Sequence, residues 1–474
     1  MLRKLLSHAA IYGFAAQVPR LVGILSLPII TPYLTALDYG VAGVITAYVV
    51  ALSALFSLGL SVVMVNSYAK HPLHYKWVWR QLHGFLSGWA LLYGVLLSAI
   101  LWWAIPAEAA DKRWQLLALN VLPVVLFAVT EFQAIILFQL SQRPVPVAIR
   151  SFMVGAVTVG LNIYTIAHLK LGFMGWFYAN AAGSLTGFIL YSYPLYFKEG
   201  MWPIFNFKWK RIRQSLKVSL PIIPHYFSFF LLDTSDRLIL DLLKVPLPRI
   251  GLYNIASSFG LYFAAASNSV VQAASPFYLQ YLTKSASDIN AAKQARRLTF
   301  GMQVLFLVAT FILCLWLKEL FILLIKNREL QQAYPLAIII MMGYNYKPIY
   351  LGVVNLLTYR EKTKALWKIS AVAGAGNIIL NLIFIPYFGV EAAAVTTFIS
   401  LMYMGYSGYT LKEYKQVAEL NYYPWVWLGI TLLALGAVFL LKDIEPINKA
   451  ILTIAVGAGA SVGFLYFSKR LSLT

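Results

Sequence analysis

Long apolar stretches recur along the whole chain, and each is long enough to cross a lipid bilayer. About twenty apolar residues in a helix span the roughly 30 Å hydrocarbon core. Fourteen such stretches occur, each bounded by charged residues or by Gly and Pro. They begin near residues 9, 41, 82, 115, 146, 173, 216, 249, 298, 331, 365, 390, 425 and 450. Because a backbone in hydrocarbon must satisfy its own hydrogen bonds, this pattern predicts an all-α polytopic membrane protein with about 14 transmembrane helices.

The composition agrees with that class. Of the 474 residues, 60% are hydrophobic and 12% are charged, whereas about a quarter of the residues in soluble domains are charged. The first stretch is too long for the apolar region of a signal peptide, so we expect it to be retained. Cys314 is the single cysteine, which excludes an intramolecular disulfide and a metal site built from several thiolates.

The basic residues predict the orientation in the membrane. The net charge is +21, but Lys and Arg lie in short loops rather than on one soluble face, which argues against nucleic acid as a partner. With the N-terminus in the cytoplasm, 25 of the 38 Lys and Arg fall in cytoplasmic segments, 10 in outer loops and three within the stretches. The positive-inside rule therefore predicts that both termini are cytoplasmic.

Two pairs of turns indicate an internal repeat. Residues 35–40 (TALDYG) resemble residues 247–251 (LPRIG), whose glycine comes 211 residues later, and residues 169–175 (LKLGFMG) resemble residues 385–392 (IPYFGVEA), whose glycine comes 217 residues later. The similar offsets predict two six-helix bundles around a central cleft. The expected domains are residues 1–197 and 218–412 for the bundles, 198–217 for a basic cytoplasmic linker, and 413–474 for two additional helices.

Two segments are similar to those of a known family. Residues 360–364 (REKTK), 377–389 (NIILNLIFIPYFG) and 392–397 (AAAVTT), together with Asp236, Arg237 and 251–256 (GLYNIA), resemble the Wzx-type O-antigen and polysaccharide flippases. That family belongs to the multidrug, oligosaccharidyl-lipid and polysaccharide exporter superfamily, which also contains the lipid II flippase. The resemblance implies a flippase of the bacterial inner membrane. Its expected substrate is an undecaprenyl-diphosphate-linked oligosaccharide, O-antigen or a related repeat unit, and its expected partners are membrane lipids and other polysaccharide assembly proteins.

Three cations lie within the apolar stretches: Arg20, Arg237 and Lys347. An ionisable side chain at membrane depth costs about 2.5–3.5 kcal/mol on insertion scales, so it usually faces a partner or water. Arg20 follows Pro19 and Lys347 precedes Pro348, so each adjoins a point where the helix loses a backbone hydrogen bond. Broken helices commonly line transporter cavities. We therefore predict that the three cations present positive charge to an anionic headgroup in the cleft.

Acidic side chains at the same depth support the alternative that these cations are paired within the protein. Asp233 and Arg237 are four residues apart, one helical turn, and could neutralise each other. Asp236 and Glu131 are further candidates for a counter-charge or for coupling to a cation, with structural pairing favoured for Glu131.

Tyr344, Asn345 and Tyr346 directly precede Lys347 and are candidate sugar contacts. Tyrosine rings offer flat apolar faces with a hydroxyl at the edge, and an Asn amide both donates and accepts hydrogen bonds. The chain contains 30 Tyr and 13 Trp, so the alternative is that such rings belong to the aromatic belts at the membrane surfaces.

Enzymatic functions are disfavoured. The sequence has no Walker A or HExxH motif, so we predict a transporter that needs no cofactor or metal. The alternative function is a cation-coupled multidrug extruder of the same fold, whose cleft would present Glu131, Asp233 or Asp236 as an unpaired acid. A non-transporting membrane scaffold is disfavoured by the charges within the membrane.

Overall fold

The structure, a computed structural model, describes residues 23–141, 143–285, 289–360, 362 and 366–472. It is 87% helical, and these residues include no strand. The prediction of an all-α fold is therefore confirmed. The helices form two compact units, Met1–Gly251 and Leu252–Thr474. The predicted boundaries of the bundles and the linker stay a prediction.

The first unit contains the helices up to the first turn of α12. These are α1 (Gly23–Tyr33), α2 (Ala36–Phe56), α3 (Ser61–Lys70), α4 (Tyr75–Ala104), α5 (Arg113–Leu126), α6 (Ala128–Leu140), α7 (Pro144–Ile163), α8 (Met174–Ser192), α9 (Trp209–Ser219), α10 (Ile223–Asp233) and α11 (Ser235–Leu242). Its core includes Trp79, which is fully buried and whose indole N–H donates to the carbonyl oxygen of Met64 and to Ser67 Oγ.

The second unit begins within α12 (Leu247–Ser285) and contains the remaining helices. These are α13 (Ile289–Leu315), α14 (Leu317–Leu324), α15 (Arg328–Gln331), α16 (Tyr334–Gly343), α17 (Lys347–Tyr359), α18 (Leu366–Tyr406), α19 (Lys412–Lys415), α20 (Pro424–Leu441) and α21 (Pro446–Ser472). Its core includes Tyr278, Met302 and Leu351, which lie on α12, α13 and α17.

The predicted spans coincide with the observed helices. Every predicted stretch from the second onward lies on one helix or on a run of consecutive helices. By length and composition, seven described helices can cross a membrane, or eight when α5 and α6, bent by 46°, are taken as one span. The remaining helices at the predicted stretches are shorter or interrupted. The stretches that begin near residues 365 and 390 both lie on α18, which turns sharply at Gly389.

The glycines paired by the internal repeat have related structural roles. Gly172 and Gly389 both adopt positive φ angles, 55° and 60°, which only glycine adopts readily. Gly40 and Gly251 allow a close approach of two backbones, because a methyl group on Gly251 would overlap the carbonyl oxygen of Ala36. Gly172 and Gly389 therefore share a turn conformation, whereas Gly40 and Gly251 share a close helix contact, and the internal repeat stays a prediction.

Contacts between loops agree with the predicted alternation of the spans. Each of the following contacts joins two segments that the topology places on the same side of the membrane. They are Lys76 and Arg143 with Glu199, Arg360 with Glu419, Lys318 with Asp443, and the Asp38 carboxylate with the Phe173 N–H. An error in the span count would place some of these partners on opposite sides.

A segment of the expected linker runs along α4. The N–H of Ile204 donates to the carbonyl oxygen of Arg80 at 2.9 Å, and Arg80 Nε donates to the carbonyl oxygen of Trp202 at 2.8 Å. Gly84 makes this contact possible, because a methyl group there would overlap the Ile204 carbonyl oxygen. Gly88, one turn along the same helix, faces open space.

We expect Gly84→Ala to destabilise the protein and Gly88→Ala to stabilise it slightly. A methyl group at 84 displaces the backbone of the linker, and overpacking of this kind costs about 1–3 kcal/mol. A methyl group at 88 adds only helix propensity, about 0.5–1 kcal/mol. Thermal unfolding of the two detergent-solubilised variants measures the difference. Equal unfolding temperatures would show that the linker does not pack on α4.

Asp443, in the loop between α20 and α21, gives a pH-dependent contribution to stability. The Lys318 ammonium at 2.7 Å and the Tyr334 hydroxyl at 2.8 Å lower the pKa of Asp443 to about 2, below the unfolded value of about 3.9. A lowered pKa stabilises the folded state above the unfolded pKa, and this stabilisation disappears as the pH falls from about 4 to about 2. The pair is exposed, so we expect at most about 1 kcal/mol.

The check compares the wild type with Asp443→Asn. The wild type should unfold at a higher temperature at pH 7, and this difference should shrink below pH 4. A difference that does not change with pH would contradict the assignment to Asp443.

Candidate functional site

Lys347 lies at an interruption of the tenth predicted span. α16 ends at Gly343, Tyr344–Tyr346 form a 3-10 turn, and α17 begins at Lys347 with Pro348 in its first turn. Proline is tolerated there because the first N–H groups of a helix have no intrahelical partner. The interruption is a single 3-10 turn, and Tyr334–Tyr359 as a whole still counts as one span. The residue is only 8% exposed.

The ammonium of Lys347 contacts neutral oxygen atoms of α12. Its Nζ donates to the carbonyl oxygen of Ala264 at 2.7 Å and to Asn268 Oδ1 at 2.8 Å. It also lies 5.1 Å from the centre of the Tyr344 ring, within the range of a cation–π interaction. These contacts fix the position of the ammonium against α12 and the Tyr344 ring.

Asn345 connects the 3-10 turn to α13. Its Nδ2 donates to Thr310 Oγ1 at 2.8 Å, and Gln303 Nε2 donates to the main-chain oxygen of Asn345 at 3.0 Å. Asn345 is fully buried, and Tyr344 and Tyr346 are buried beside it. The amide thus supports the turn that precedes Lys347. The sugar contacts of the three residues stay a prediction.

Asp236 and Arg237 are buried directly after a helix break. α10 ends at Asp233 and α11 begins at Ser235, because Thr234 has a φ of −140°, outside the helical range. Asp233 is exposed. The helix is therefore interrupted between Asp233 and Arg237, and the pairing of these two residues stays a prediction.

Glu131 lies in the first turn of α6, near the bend with α5. Its Oε1 points at Gly187 of α8, where a methyl group would overlap the carboxylate. Gly187 therefore provides the space that Glu131 occupies. Arg20 lies outside the described residues, and its role stays a prediction, as does that of Glu131.

A buried polar cluster near Glu131 was not predicted. His83 Nδ1 contacts Gln133 Oε1, and His83 Nε2 lies 3.3 Å from the Tyr196 hydroxyl, which in turn lies 2.6 Å from Thr130 Oγ1. His83 and Gln133 are almost completely buried. Their 50-residue separation explains why no local sequence pattern indicated the contact.

A second cluster joins the two arms of α18 on either side of Gly389. Asn381 Nδ2 donates to Asn377 Oδ1 at 3.0 Å, Asn377 Nδ2 donates to Thr397 Oγ1 at 3.4 Å, and the Thr396 hydroxyl donates to Asn381 Oδ1. All four side chains are buried. They belong to the segments on which the family resemblance rests, and no role was predicted for them.

Sequence comparison identifies the family. The profile of the polysaccharide biosynthesis protein family matches residues 5–282, more than half of the chain. The chain belongs to this family. The resemblance to polysaccharide exporters found in the short segments is thereby confirmed. No curated protein matches the sequence.

Transporters are among the solved structures that resemble this family member. The lipid II flippase MurJ, in an inward closed conformation, is 14% identical with a TM-score of 0.69, over 98% of this chain and 99% of that chain. A multidrug resistance MATE family transporter of the MOP superfamily, facing inward, is 13% identical with a TM-score of 0.61, over 90% and 98%. At these identities the likeness shows the fold, and it confirms the predicted transporter architecture.

A third match shows how function varies within this fold. It is a MOP superfamily transporter from Pyrococcus furiosus, 13% identical with a TM-score of 0.51, over 87% of this chain and 94% of that chain. Its description states that the reverse polarity of its binding pocket suggests a different function. The fold alone therefore does not assign the substrate of this chain.

Proposed function

We propose that this protein is a flippase that translocates an undecaprenyl-diphosphate-linked oligosaccharide, O-antigen or a related polysaccharide repeat unit, from the cytoplasmic to the periplasmic leaflet. The match to the polysaccharide biosynthesis protein family carries the proposal. The fold shared with the lipid II flippase MurJ supports it, because that protein also moves a lipid-linked molecule. Transport would proceed by alternating access, the mechanism common to transporters built from repeats.

Buried cations support an anionic substrate. Lys347 lies buried at a helix interruption, and Arg237 lies buried directly after another. We propose that these two residues and Arg20 bind the diphosphate or acidic sugars, with Arg as a bidentate donor and Lys as a point charge. Moving two negative charges outward across an inside-negative potential of 100 mV releases about 4.6 kcal/mol. The potential alone would then drive the loaded step.

We further propose that the protein lies in the bacterial inner membrane with both termini in the cytoplasm. The asymmetry of Lys and Arg supports this orientation, and the contacts between loops agree with the alternation of sides. The partners would be the lipid-linked glycan, the surrounding lipids and other proteins of polysaccharide assembly.

The cation-coupled multidrug extruder remains the second candidate only through its fold. A multidrug transporter shares that fold, but the family match is to polysaccharide biosynthesis. A drug site would need an acid facing the substrate. Asp233 is exposed and Glu131 is partly exposed, so neutralising these acids tests the alternative directly.

The test is deletion of the gene followed by an assay of which lipid-linked oligosaccharide accumulates on the cytosolic leaflet. We expect one lipid-linked repeat unit to accumulate and its polysaccharide to disappear from the cell surface. Complementation with the wild-type gene should reverse both effects. Increased drug sensitivity without loss of polysaccharide would instead support the multidrug extruder.

A further inference from the structure

A lateral groove in the first unit lies between α7 and α8. Its cavity volume is about 470 Å³. It spans residues 145–153 of α7, about 12 Å at 1.5 Å per residue. Apart from Arg150, its lining is mainly apolar and includes Val145, Ile149, Met153, Ile189 and Tyr193. Of the most apolar 18-residue segment of α7, only 6% is buried inside the protein. The helix therefore exposes the apolar surface expected of a helix that faces lipid.

The local structure of α8 explains the position of Arg150. Pro194 has no N–H, so the carbonyl oxygen of Leu190, four residues earlier, lacks its helical donor. Directly after Ser192 the chain forms a π-helical turn, Tyr193–Lys198. Arg150 Nε donates to the Leu190 carbonyl oxygen at 3.1 Å, and Arg150 Nη1 donates to the carbonyl oxygen of Pro146 at 2.9 Å.

The guanidinium of Arg150 is oriented by several contacts at one wall of the groove. Its carbon atom lies 5.1 Å from the centre of the Phe138 ring and 5.6 Å from that of Tyr191. Among the described residues no carboxylate forms an ion pair with Arg150. Two backbone oxygens and two rings therefore orient a positive charge without neutralising it.

Arg150 lies near the end of α7 that the predicted topology places on the cytoplasmic side. It lies six residues after Pro144, where α7 begins, about 9 Å along the helix. Long basic side chains near the ends of membrane-spanning helices extend toward the headgroups, where arginine meets phosphate. Basic pockets between transmembrane helices on the cytoplasmic side bind anionic headgroups.

We propose that this groove binds an anionic phospholipid of the surrounding leaflet, with its phosphate on Arg150 and the upper part of one acyl chain along Ile149, Met153 and Ile189. Charge complementarity with a phosphate favours this occupant. Because the groove is only about 12 Å long, it fits part of an acyl chain. The inference does not depend on the substrate that the protein transports.

The experiment measures lipid binding to the detergent-solubilised full chain by native mass spectrometry. The probes are phosphatidylglycerol and phosphatidylcholine with identical acyl chains. We expect the wild type to bind phosphatidylglycerol more tightly. Arg150→Gln should weaken phosphatidylglycerol binding about tenfold, the loss of one hydrogen bond to a charged group, and should abolish the preference over phosphatidylcholine.

Two variants keep the test independent of folding. Ile189→Trp fills the groove while Arg150 stays in place, and it should weaken the binding of both lipids. Arg213→Gln removes an exposed cation of α9 and should change neither. Thermal unfolding checks that each variant is folded. The proposal is overturned when Arg150→Gln retains the wild-type preference, when Ile189→Trp binds both lipids normally, or when undecaprenyl phosphate binds through Arg150 and phosphatidylglycerol does not.

Discussion

Replacing Lys347 with glutamate is expected to abolish export of the glycan while protein level and membrane insertion stay normal. The change reverses the sign of a buried charge whose contacts with Ala264 and Asn268 hold it in place. Two unit charges 4 Å apart interact by about 4 kcal/mol at an effective dielectric constant of 20. Loss of even 2.8 kcal/mol lowers transport about a hundredfold. Surface polysaccharide and the cytosolic pool of lipid-linked oligosaccharide measure the effect.

Lys347→Gln separates the charge from the hydrogen bonds. Glutamine still donates to the oxygen atoms that Lys347 contacts, but it carries no charge, so export should still fall strongly. Lys347→Arg keeps the charge and should retain part of the activity. Lys293→Glu reverses an exposed charge on α13 and serves as the matched control. Normal export by the Gln variant would remove Lys347 from the proposed anion site.

The helices could be predicted because hydropathy and helix length are local properties. The turns at Gly172 and Gly389 were found from the offset of 217 residues, since a positive φ angle restricts the choice of residue. The interruption before Pro348 was predicted because proline cannot donate the backbone hydrogen bond that a continuous helix requires. The break at Thr234 has no such signal, because threonine is compatible with a helix and the deviation depends on packing.

The candidate site was predicted only where a charge lies at membrane depth. Lys347 and Arg237 stand out because an inserted charge is costly. Asn377 and Asn381 are neutral, and their partners Thr396 and Thr397 lie beyond the turn at Gly389, so their cluster requires the folded chain. Arg150 was counted with the cytoplasmic loop, and only the contacts with Leu190 and Pro146 show its fixed position.

Breaking the ion pair between Lys449 and Glu319 is expected to cause the largest loss of stability. Lys449 Nζ lies 2.7 and 2.9 Å from the two carboxylate oxygens of Glu319 and donates to the carbonyl oxygen of Lys442 at 2.7 Å. The Lys449 side chain is 0% exposed and that of Glu319 is 30% exposed. Removing one partner of a buried pair costs about 3–5 kcal/mol, because the other charge is left buried and unpaired.

The unequal burial of the two side chains predicts an asymmetry. Glu319→Gln leaves a fully buried ammonium without its counter-charge and should lower the unfolding temperature more than Lys449→Met, which leaves a carboxylate that water reaches. Lys318→Met breaks the neighbouring exposed pair with Asp443 and should cost at most about 1 kcal/mol. Thermal unfolding in detergent measures all three variants. Equal effects of Glu319→Gln and Lys318→Met would show that burial of Lys449 does not strengthen the pair, and that the start of α21 is held by its apolar contacts alone.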